Sequence, residues 1–346
     1  MQTKPMTLRG LTDYLTACRA AMPQKAVLVC GHVAPDTDAA VSSITEAYRR
    51  HLTDGETAVP FIPADSVPVE IAYLLGDAVS PQLLCAKDVA ALLSSPDTRY
   101  ILTDHHDING RQVVTIIDHH LPADGVVFYG IDADIQPVGA TTTLVAQRCR
   151  ENGLIPDAAM ARILLGGILM DTEGLSPAKA RPADYTAAAW LCALWGGDAD
   201  ALFTELREKL LAETDLPTLY RRDYRRFGNE LGFAVIKVWD SAPIDETALR
   251  ALLNQDRAQS GVAATLAKIT RYTDEGLKNE TYIVSAPPTL THALADAVRH
   301  ATGGVLSPDT PDRIGLSNGA KHLSRKRLTP ILLAILKKNV KTEILH

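Results

Sequence analysis

The sequence has few aromatic residues, no excess of basic residues and no long apolar run. Aromatics make up 5% of its 346 residues, so its hydrophobic cores must consist mainly of Ala, Leu, Ile and Val. The formal net charge is −6, which argues against broad nucleic-acid binding, because such binding normally requires a basic excess. The longest apolar stretches, such as residues 163–170, are far too short to span a bilayer. The first 24 residues also lack the uninterrupted apolar segment of a signal peptide.

The five cysteines are scattered along the chain and form no CxxC pair. This pattern favours reduced thiols in a cytosol over a disulfide framework or a zinc knuckle. With 46% apolar and 22% charged residues, the composition is typical of a soluble globular protein with sizeable cores. We therefore expect a soluble, cytoplasmic protein that binds neither membranes nor nucleic acid.

Short apolar runs alternate with helical patterns through the first part of the chain. Strands are predicted at residues 26–30, 59–62, 100–102, 113–117 and 126–129, with helical patterns between and after them. Strands that alternate with helices imply an α/β fold with a mainly parallel sheet, covered on both faces. Ligands of such sheets bind beyond the carboxyl ends of the strands. The sequence therefore predicts a site at that edge.

A change in composition predicts a boundary between two domains. Residues 212–228 are highly charged and contain Pro217, and a second, shorter set of strand and helix patterns follows them. We expect an N-terminal domain with a mainly parallel sheet over residues 1–211, a linker over 212–228 and a smaller α/β C-terminal domain over 229–346. The active site is expected in the cleft between the two domains.

Four clusters of acidic residues and histidines lie after or within apolar segments of the first domain. They are His32 with Asp36 and Asp38, then residues 104–107, then Asp118-His119-His120, and finally Asp171. Each has an ordinary explanation on its own, since Asp36 and Asp38 could cap the following helix and His32 could be structural. Strand ends converge on one edge, however, so together the clusters indicate a site for divalent metals. Two such cations could share one carboxylate and activate a water for attack on phosphorus.

A basic run in the C-terminal domain provides a candidate anion site. It covers residues 321–327 and includes Arg325 and Lys326. Arginine offers a planar fork that suits phosphate oxygens, and lysine offers a compact point charge. A solvated basic stretch is an equally good explanation from composition alone.

In this order and spacing, the motifs resemble those of the DHH phosphoesterases, in the form found in the family II, manganese-dependent inorganic pyrophosphatases. The resemblance rests on residues 31–48, on Asp104, on IIDHH at 116–120, on VGATTTLV at 138–145, on GGILMDTEGLSP at 166–177 and on Ser324-Arg325-Lys326. It runs from about residue 25 to residue 330, so it includes both predicted domains.

The resemblance implies a hydrolase that converts inorganic pyrophosphate to two orthophosphates with a two-metal-activated water. It implies two or more Mn²⁺ ions, with Co²⁺ or Mg²⁺ as alternatives, and a homodimer formed through the edge of the N-terminal sheet. The implied ligands of one metal are His32, Asp36 and Asp104, and those of the other are Asp38, Asp104, His119 and Asp171.

The resemblance also implies which residues contact the substrate. His120 would bind or protonate a phosphate oxygen, and Arg325 and Lys326 would bind the terminal phosphate. A further substrate lysine is expected before the linker, and Lys209 is the nearest candidate. We interpret Asp118 as a residue that orients a histidine from outside the ligand set.

The chain departs from the family pattern near the substrate. His106 stands where the pyrophosphatases usually have an asparagine, and Gly174-Leu175 stand where Phe-Lys is usual. These differences leave open whether the substrate is pyrophosphate or a short-chain polyphosphate, cleaved by an exopolyphosphatase. A DHH nucleotide phosphodiesterase and a non-catalytic, metal-stabilised binding protein are the remaining alternatives.

Overall fold

A computed structural model describes residues 3–22, 26–122, 124–307, 310–316 and 320–343, with side chains up to residue 338. The chain divides into two compact units, Met1–Leu210 and Leu211–His346. Each unit is built around its own buried apolar residues. None of the helices over the described residues combines the length and the apolar composition that a membrane span requires.

The N-terminal unit is an α/β unit. Its strands are β1 (Lys4–Met6), β2 (Val27–Cys30), β3 (Ala58–Ile62), β4 (Leu84–Cys85), β5 (Arg99–Thr103), β6 (Gln112–Asp118), β7 (Asp132–Ile135) and β8 (Leu154–Pro156). Its helices are α1 (Leu8–Ala20), α2 (Thr37–Asp54), α3 (Val69–Val79), α4 (Ala90–Leu93), α5 (Thr141–Glu151), α6 (Ala158–Asp171), α7 (Pro182–Trp195) and α8 (Ala199–Leu211), with 3₁₀ turns at Ser80–Gln82 and Ala86–Val89.

The main sheet of this unit is parallel throughout the described residues. Its six strands follow the order β4-β3-β2-β5-β6-β7, and β1 pairs separately with β8. Every residue of β2 and β3 is buried, which is why these strands read as continuous apolar runs instead of an alternating pattern. The predicted α/β class with a mainly parallel sheet is therefore confirmed.

The strand order places a crevice at a defined point of the sheet. The chain runs outward from β2 through β3 to β4, then returns to lay β5 on the other side of β2. Loops that leave the carboxyl ends of β2 and β5 diverge to opposite sides, and ligands of open α/β sheets bind at such a reversal. Cys30 pairs with Leu102, so the residues that follow each strand start from neighbouring positions.

The predicted strand at residues 126–129 is wrong. These residues form irregular chain and a turn, and the strand follows them as β7. Val127 is 61% and Tyr129 is 88% exposed, so their apolar side chains lie at the surface and not in a sheet.

The C-terminal unit is built on a mixed sheet. Its elements are α9 (Leu216–Arg222), β9 (Tyr224–Phe227), β10 (Leu231–Trp239), α10 (Glu246–Ser260), β11 (Ala264–Thr273), β12 (Gly276–Ser285), α11 (Pro288–Thr302), β13 (Val305–Ser307), β14 (Thr310–Gly315) and α12 (Arg325–Glu343). The strand order is β13-β14-β12-β11-β10-β9, and only the β10–β11 pair is parallel within the described residues, with α10 as its crossover.

The segment over residues 212–228, which the sequence assigns to a linker, contains α9 and β9, and β9 pairs with β10. The exact domain limits and the cleft between the domains stay predictions.

Candidate metal centre

The acidic and histidine clusters lie at the carboxyl ends of neighbouring strands. His32 follows β2, Asp104 follows β5, and Asp118-His119-His120 ends β6 and begins the next loop. Asp36 and Asp38 lie at the start of α2, and Asp171 is the last residue of α6. All of these come from the elements around the reversal in strand order.

One group consists of His32, Asp36 and Asp104, whose ligand atoms all lie within 4.8 Å of one another. Nε2 of His32 lies 3.3 Å from Oδ2 of Asp104 and 3.6 Å from Oδ2 of Asp36. The other oxygen of Asp36 accepts a hydrogen bond from the amide of Ala39 at 3.0 Å. Asp36 therefore caps α2 and contributes to the cluster at the same time.

The second group consists of Asp38, His119 and Asp171, which meet the same distance limit. Nε2 of His119 lies 3.2 Å from Oδ2 of Asp171 and 3.2 Å from Oδ1 of Asp104. The two oxygens of Asp104 thus face two different histidines. The structure brings together all six residues that the sequence predicts as metal ligands, and Asp104 lies where a shared ligand is expected.

The hydrogen bonds of His32 and His119 leave the same nitrogen available. Nδ1 of His32 lies 3.0 Å from the carbonyl oxygen of Val33, and Nδ1 of His119 lies 3.2 Å from that of Val138. A carbonyl can only accept, so Nδ1 carries a hydrogen and Nε2 is the nitrogen that faces the carboxylates. Nε2 of His32 is buried and faces the carboxylate oxygens of Asp104 and Asp36. This is the arrangement that metal-binding histidines require.

Burial and crowding raise the pKa of two carboxyl groups in the cluster. Burial is the main cause of the raised pKa of Asp38, and the neighbouring carboxylates of Asp104 and Asp171 add to it. The pKa of Asp171 is raised by its burial and by the charges of Asp36 and Asp104. Asp171 also ends a helix, where the helix dipole disfavours a negative charge. Each effect makes the charged carboxylates unfavourable, so bound cations would stabilise the cluster.

The pKa shifts of Asp104 and of the two histidines instead favour their charged forms. Burial alone would raise the pKa of Asp104, but its hydrogen bonds with His119 and His32 hold it well below its usual range. Burial opposes the charged form of His119, yet Asp104 and the other carboxylates raise its pKa to about 11. The pKa of His32 is raised well above its usual value for the same reason. Without metal, protons on these histidines occupy the place of cations.

Backbone strain concentrates in the same loops. Among the described residues, the non-glycine residues with positive φ are Ala34, Asp104, Asn109, Glu173 and Leu175. They lie in the loops that carry His32, Asp104 and Asp171. Such conformations cost about 1–3 kcal/mol each and cluster at functional sites, because the surrounding structure must hold them.

A group that sequence reasoning missed supports the cluster from α5. The carboxylate of Asp38 accepts hydrogen bonds from the amides of Thr141 and Thr142, both at 2.7 Å, and the hydroxyl of Thr141 lies 3.1 Å from Oδ1 of Asp104. The N-cap of α5 is Ala140, whose side chain cannot accept a hydrogen bond. The first amides of a helix need acceptors, and Ala140 cannot provide one. The sequence signal was therefore the missing capping side chain, which requires an acceptor from another part of the chain.

Asp118 is fully buried and orients two histidines. Its Oδ2 lies 2.6 Å from Nδ1 of His106, and its Oδ1 lies 2.9 Å from both Nδ1 and the amide nitrogen of His120. His120 could also form a third group with Asp104 and His119. Nδ1 of His120 is nearer to Asp118 than to Asp104, which lies 3.7 Å away. Its bond to Asp118 therefore favours a role outside the ligand set.

Lys209 is placed on α8, where its side chain is exposed and Nζ lies 4.9 Å from the centre of the Tyr73 ring. The hydroxyl of Tyr73 donates a hydrogen bond to Glu205 on the same helix. This contact gives Lys209 an ordinary surface environment, and its assignment to the substrate stays a prediction.

Arg325 and Lys326 are the first two residues of α12. The first turn of this helix contains no acidic residue. The guanidinium of Arg325 donates to the carbonyl oxygen of Asp223 at 2.6 Å and to its carboxylate at 2.5 Å. Lys326 is exposed. Basic side chains in a first turn oppose the helix dipole, whereas an anion at this end is favourable. The arrangement is compatible with the predicted phosphate-binding role.

The comparisons with known proteins agree with this geometry. Residues 26–168 match the family model described as the DHH family, N-terminal domain. A probable manganese-dependent inorganic pyrophosphatase of Streptococcus suis is 28% identical over 234 residues, which are 63% of this chain and 73% of that protein. The manganese-dependent inorganic pyrophosphatase of Methanothrix thermoacetophila is 26% identical over 233 residues, 63% of this chain and 72% of that protein.

A solved structure shares the fold. The crystal structure of a candidate family II inorganic pyrophosphatase from Methanococcus jannaschii superposes with a TM-score of 0.66 and 19% identity, covering 90% of this chain and 99% of that one. The family match runs from β2 into α6 and contains five of the six clustered residues, and Asp171 lies three residues beyond its end. Residues 26–168 match the N-terminal domain of the DHH family, and the chain resembles the manganese-dependent, family II inorganic pyrophosphatases.

Proposed function

We propose that this protein hydrolyses inorganic pyrophosphate to two orthophosphates in a reaction that depends on Mn²⁺ or a similar divalent ion. The observation that carries the proposal is the position of Asp104, whose two oxygens face His32 and His119 in two adjacent groups of ligand atoms. The relatives named as manganese-dependent pyrophosphatases support the choice of metal and substrate.

The residues fit divalent ions. His32 and His119 each offer the Nε2 nitrogen that faces the cluster, and Asp36, Asp38, Asp104 and Asp171 offer carboxylate oxygens. Imidazole and carboxylate ligands without thiolate suit Mn²⁺, Co²⁺ and Mg²⁺. When bound, such ions would lower the pKa of a water and neutralise phosphate charge.

The remaining residues bind and orient the substrate in this proposal. Water adds to one phosphorus, the bridging P–O bond breaks, and the leaving phosphate takes up a proton. His120, oriented by Asp118, contacts a phosphate oxygen and can supply that proton. Arg325 and Lys326 bind the terminal phosphate, which lowers the repulsion between the negatively charged groups that separate.

A short-chain polyphosphate is a second candidate substrate, because of His106. Asp118 holds this imidazole by the same carboxylate that holds His120. His106→Asn introduces the residue usual in the pyrophosphatases. If His106 contributes to binding a longer chain, this variant should lose tripolyphosphate hydrolysis more than pyrophosphate hydrolysis. An equal effect on both substrates would remove the argument for polyphosphate.

The direct test is orthophosphate release from pyrophosphate and from tripolyphosphate, each with Mn²⁺, Co²⁺ and Mg²⁺. We expect release from pyrophosphate with Mn²⁺, and Asp104→Asn should abolish it. Asp107→Asn is the matched control, because Asp107 is exposed in the same loop and should keep wild-type activity. The proposal is wrong if no ion supports hydrolysis of either substrate, or if Asp104→Asn retains full activity.

A further inference from the structure

A buried carboxylate outside the predicted cluster, that of Asp184, anchors the loop over residues 138–143, which includes the first turn of α5. Asp184 lies in the first turn of α7 and is 0% exposed. Its Oδ2 accepts a hydrogen bond from the amide of Gly139 at 2.7 Å, and its Oδ1 accepts one from the hydroxyl of Thr143 at 2.6 Å. It also accepts from the amide of Arg181 at 2.7 Å, which caps α7.

The close approach of loop and carboxylate requires a glycine at position 139. A Cβ on Gly139 would lie 2.6 Å from Oδ2 of Asp184 and 2.7 Å from Cγ2 of Thr172. Both distances are shorter than van der Waals contact. The absence of a side chain therefore lets the Gly139 amide reach Asp184. Asp184 holds the loop at Gly139, before α5 begins, and at Thr143, within the first turn of α5.

The same short loop touches three of the six clustered residues. The carbonyl of Val138 accepts the hydrogen of Nδ1 of His119 at 3.2 Å. The amides of Thr141 and Thr142 donate to Asp38. The hydroxyl of Thr141 contacts Asp104. Each of these contacts fixes the orientation of a side chain whose nitrogen or oxygen faces the cluster.

We propose that Asp184 is a positioning residue for the metal centre. It does not reach the clustered residues itself. It fixes the loop over 138–143, and the loop orients His119, Asp38 and Asp104. The inference rests on the part of the proposed function that assigns metal binding to these three residues, and it does not depend on the substrate.

A simpler role must be separated from this one, because Asp184 also caps α7 and its loss would lower stability in any case. Thr143→Val makes the separation, since it removes one hydrogen bond from the loop and leaves the Arg181 cap in place. Thr143→Ser keeps the hydroxyl. Thr98→Val is the matched control: Thr98 is a buried threonine of the same unit, and its hydroxyl donates to the carbonyl of Leu92 at 2.7 Å.

The experiment measures Mn²⁺ affinity of the full chain by calorimetry, together with the thermal midpoint of the metal-free protein. Substitution of a residue that orients a metal ligand typically lowers the metal affinity about 10–100-fold. We expect Asp184→Asn and Thr143→Val to weaken Mn²⁺ binding about tenfold or more, and Thr143→Ser to restore it. Thr98→Val should lower the thermal midpoint but leave the affinity unchanged.

Unchanged Mn²⁺ affinity in a folded Thr143→Val protein would overturn the inference, as would an equal loss of affinity in Thr98→Val. Wild-type protein that binds no Mn²⁺ would overturn it as well. Wild-type protein that binds Mn²⁺ but hydrolyses no phosphoanhydride would end the proposed function and leave this inference standing, so the two failures are distinguishable.

Discussion

Nδ1 of His106 lies 2.6 Å from Oδ2 of Asp118, whose other oxygen binds His120. One fully buried carboxylate therefore orients two imidazoles from different loops. The side chain of His120 is 36% exposed and that of His106 is 27% exposed, so both rings extend from a buried anchor toward solvent. Asp118 therefore couples the orientation of His120, which follows it in the same run, to that of His106, which lies 12 residues before it.

Asp118→Asn should lower turnover about 10–100-fold, because an amide has only one acceptor oxygen and its NH₂ group would face an imidazole N–H. At least one of the two rings must then reorient. Mn²⁺ binding should change less than turnover, since Asp118 is outside the predicted ligand set. Steady-state phosphate release and metal content check this.

Asp132→Asn on β7 is the control for Asp118→Asn, because it makes the same chemical change at an exposed position and should have no effect. A full-rate Asp118→Asn enzyme would contradict the orienting role.

The stabilisation that Mn²⁺ confers should increase with pH. In the folded, metal-free protein the pKa of His119 is raised to about 11, against about 6.5 when unfolded. Protonated His119 therefore stabilises the metal-free protein fully below about pH 6.5, and this contribution is lost as the pH rises through its folded pKa. A metal must displace the proton, so affinity should gain about tenfold per pH unit for each proton displaced.

The raised pKa values of Asp38 and Asp171 act in the same direction, because these carboxyls also lose protons more readily at higher pH. Thermal midpoints with and without a fixed free Mn²⁺ concentration, compared at about pH 6 and about pH 8, give the measurement. His119→Gln should flatten the pH dependence, whereas His292→Gln, at an exposed position, should keep it. A metal-induced shift that is equal at both pH values would contradict the tautomer and charge assignment.

Arg325→Ala should raise KM for pyrophosphate about tenfold or more, since a hydrogen bond to a charged group contributes about 1.5–3 kcal/mol. Mn²⁺ affinity should not change, because all six predicted ligands belong to the N-terminal unit. Arg325→Lys should give an intermediate KM, because it keeps the charge and loses the planar fork.

Arg327→Ala is the control for Arg325→Ala, as an exposed arginine of the same helical turn. Loss of Mn²⁺ binding in Arg325→Ala would contradict the division of roles between the two units.

The sequence was sufficient to predict β2, β3, β5 and β6, because strands buried on both faces are continuous apolar runs that end in polar residues. It failed at β7, where Asp132 and Asp134 interrupt the apolar pattern of an edge strand. The apolar residues just before β7 were mistaken for the strand, although they lie at the surface.

The same contrast applies to the site. The clustered acids could be predicted because parallel strands bring their carboxyl ends to one edge. The supporting contacts could not, because they depend on tertiary structure: the bond between Thr141 and Asp38 joins residues 103 apart, and the bond between Gly139 and Asp184 joins residues 45 apart. Neither residue type nor local spacing distinguishes Asp184 from an ordinary helix cap.

Lys268 and Glu280 form a buried ion pair beneath the basic turn of α12. Nζ of Lys268 lies 2.5 Å from Oε1 of Glu280 and donates to the carbonyl oxygen of Leu323 at 2.9 Å. The other oxygen of Glu280 accepts from the hydroxyl of Tyr282 at 3.0 Å and lies 3.3 Å from Nδ1 of His322. The pair therefore ties β11 and β12 to the residues that precede Arg325.

Lys268→Met should destabilise the C-terminal unit by about 3–5 kcal/mol, because it leaves the Glu280 carboxylate buried without its main partner. Adding Glu280→Gln removes the unpaired charge and should recover much of the loss. Lys278→Met is the matched control: Lys278 pairs with Asp240 at 2.6 Å near the surface, and such pairs contribute about 0–1 kcal/mol. Native-state hydrogen exchange of the β11 and β12 amides measures both effects within this unit. If both lysine variants lose the same amount of stability, burial does not strengthen the Lys268–Glu280 pair. The pair would then not be the anchor of the basic turn.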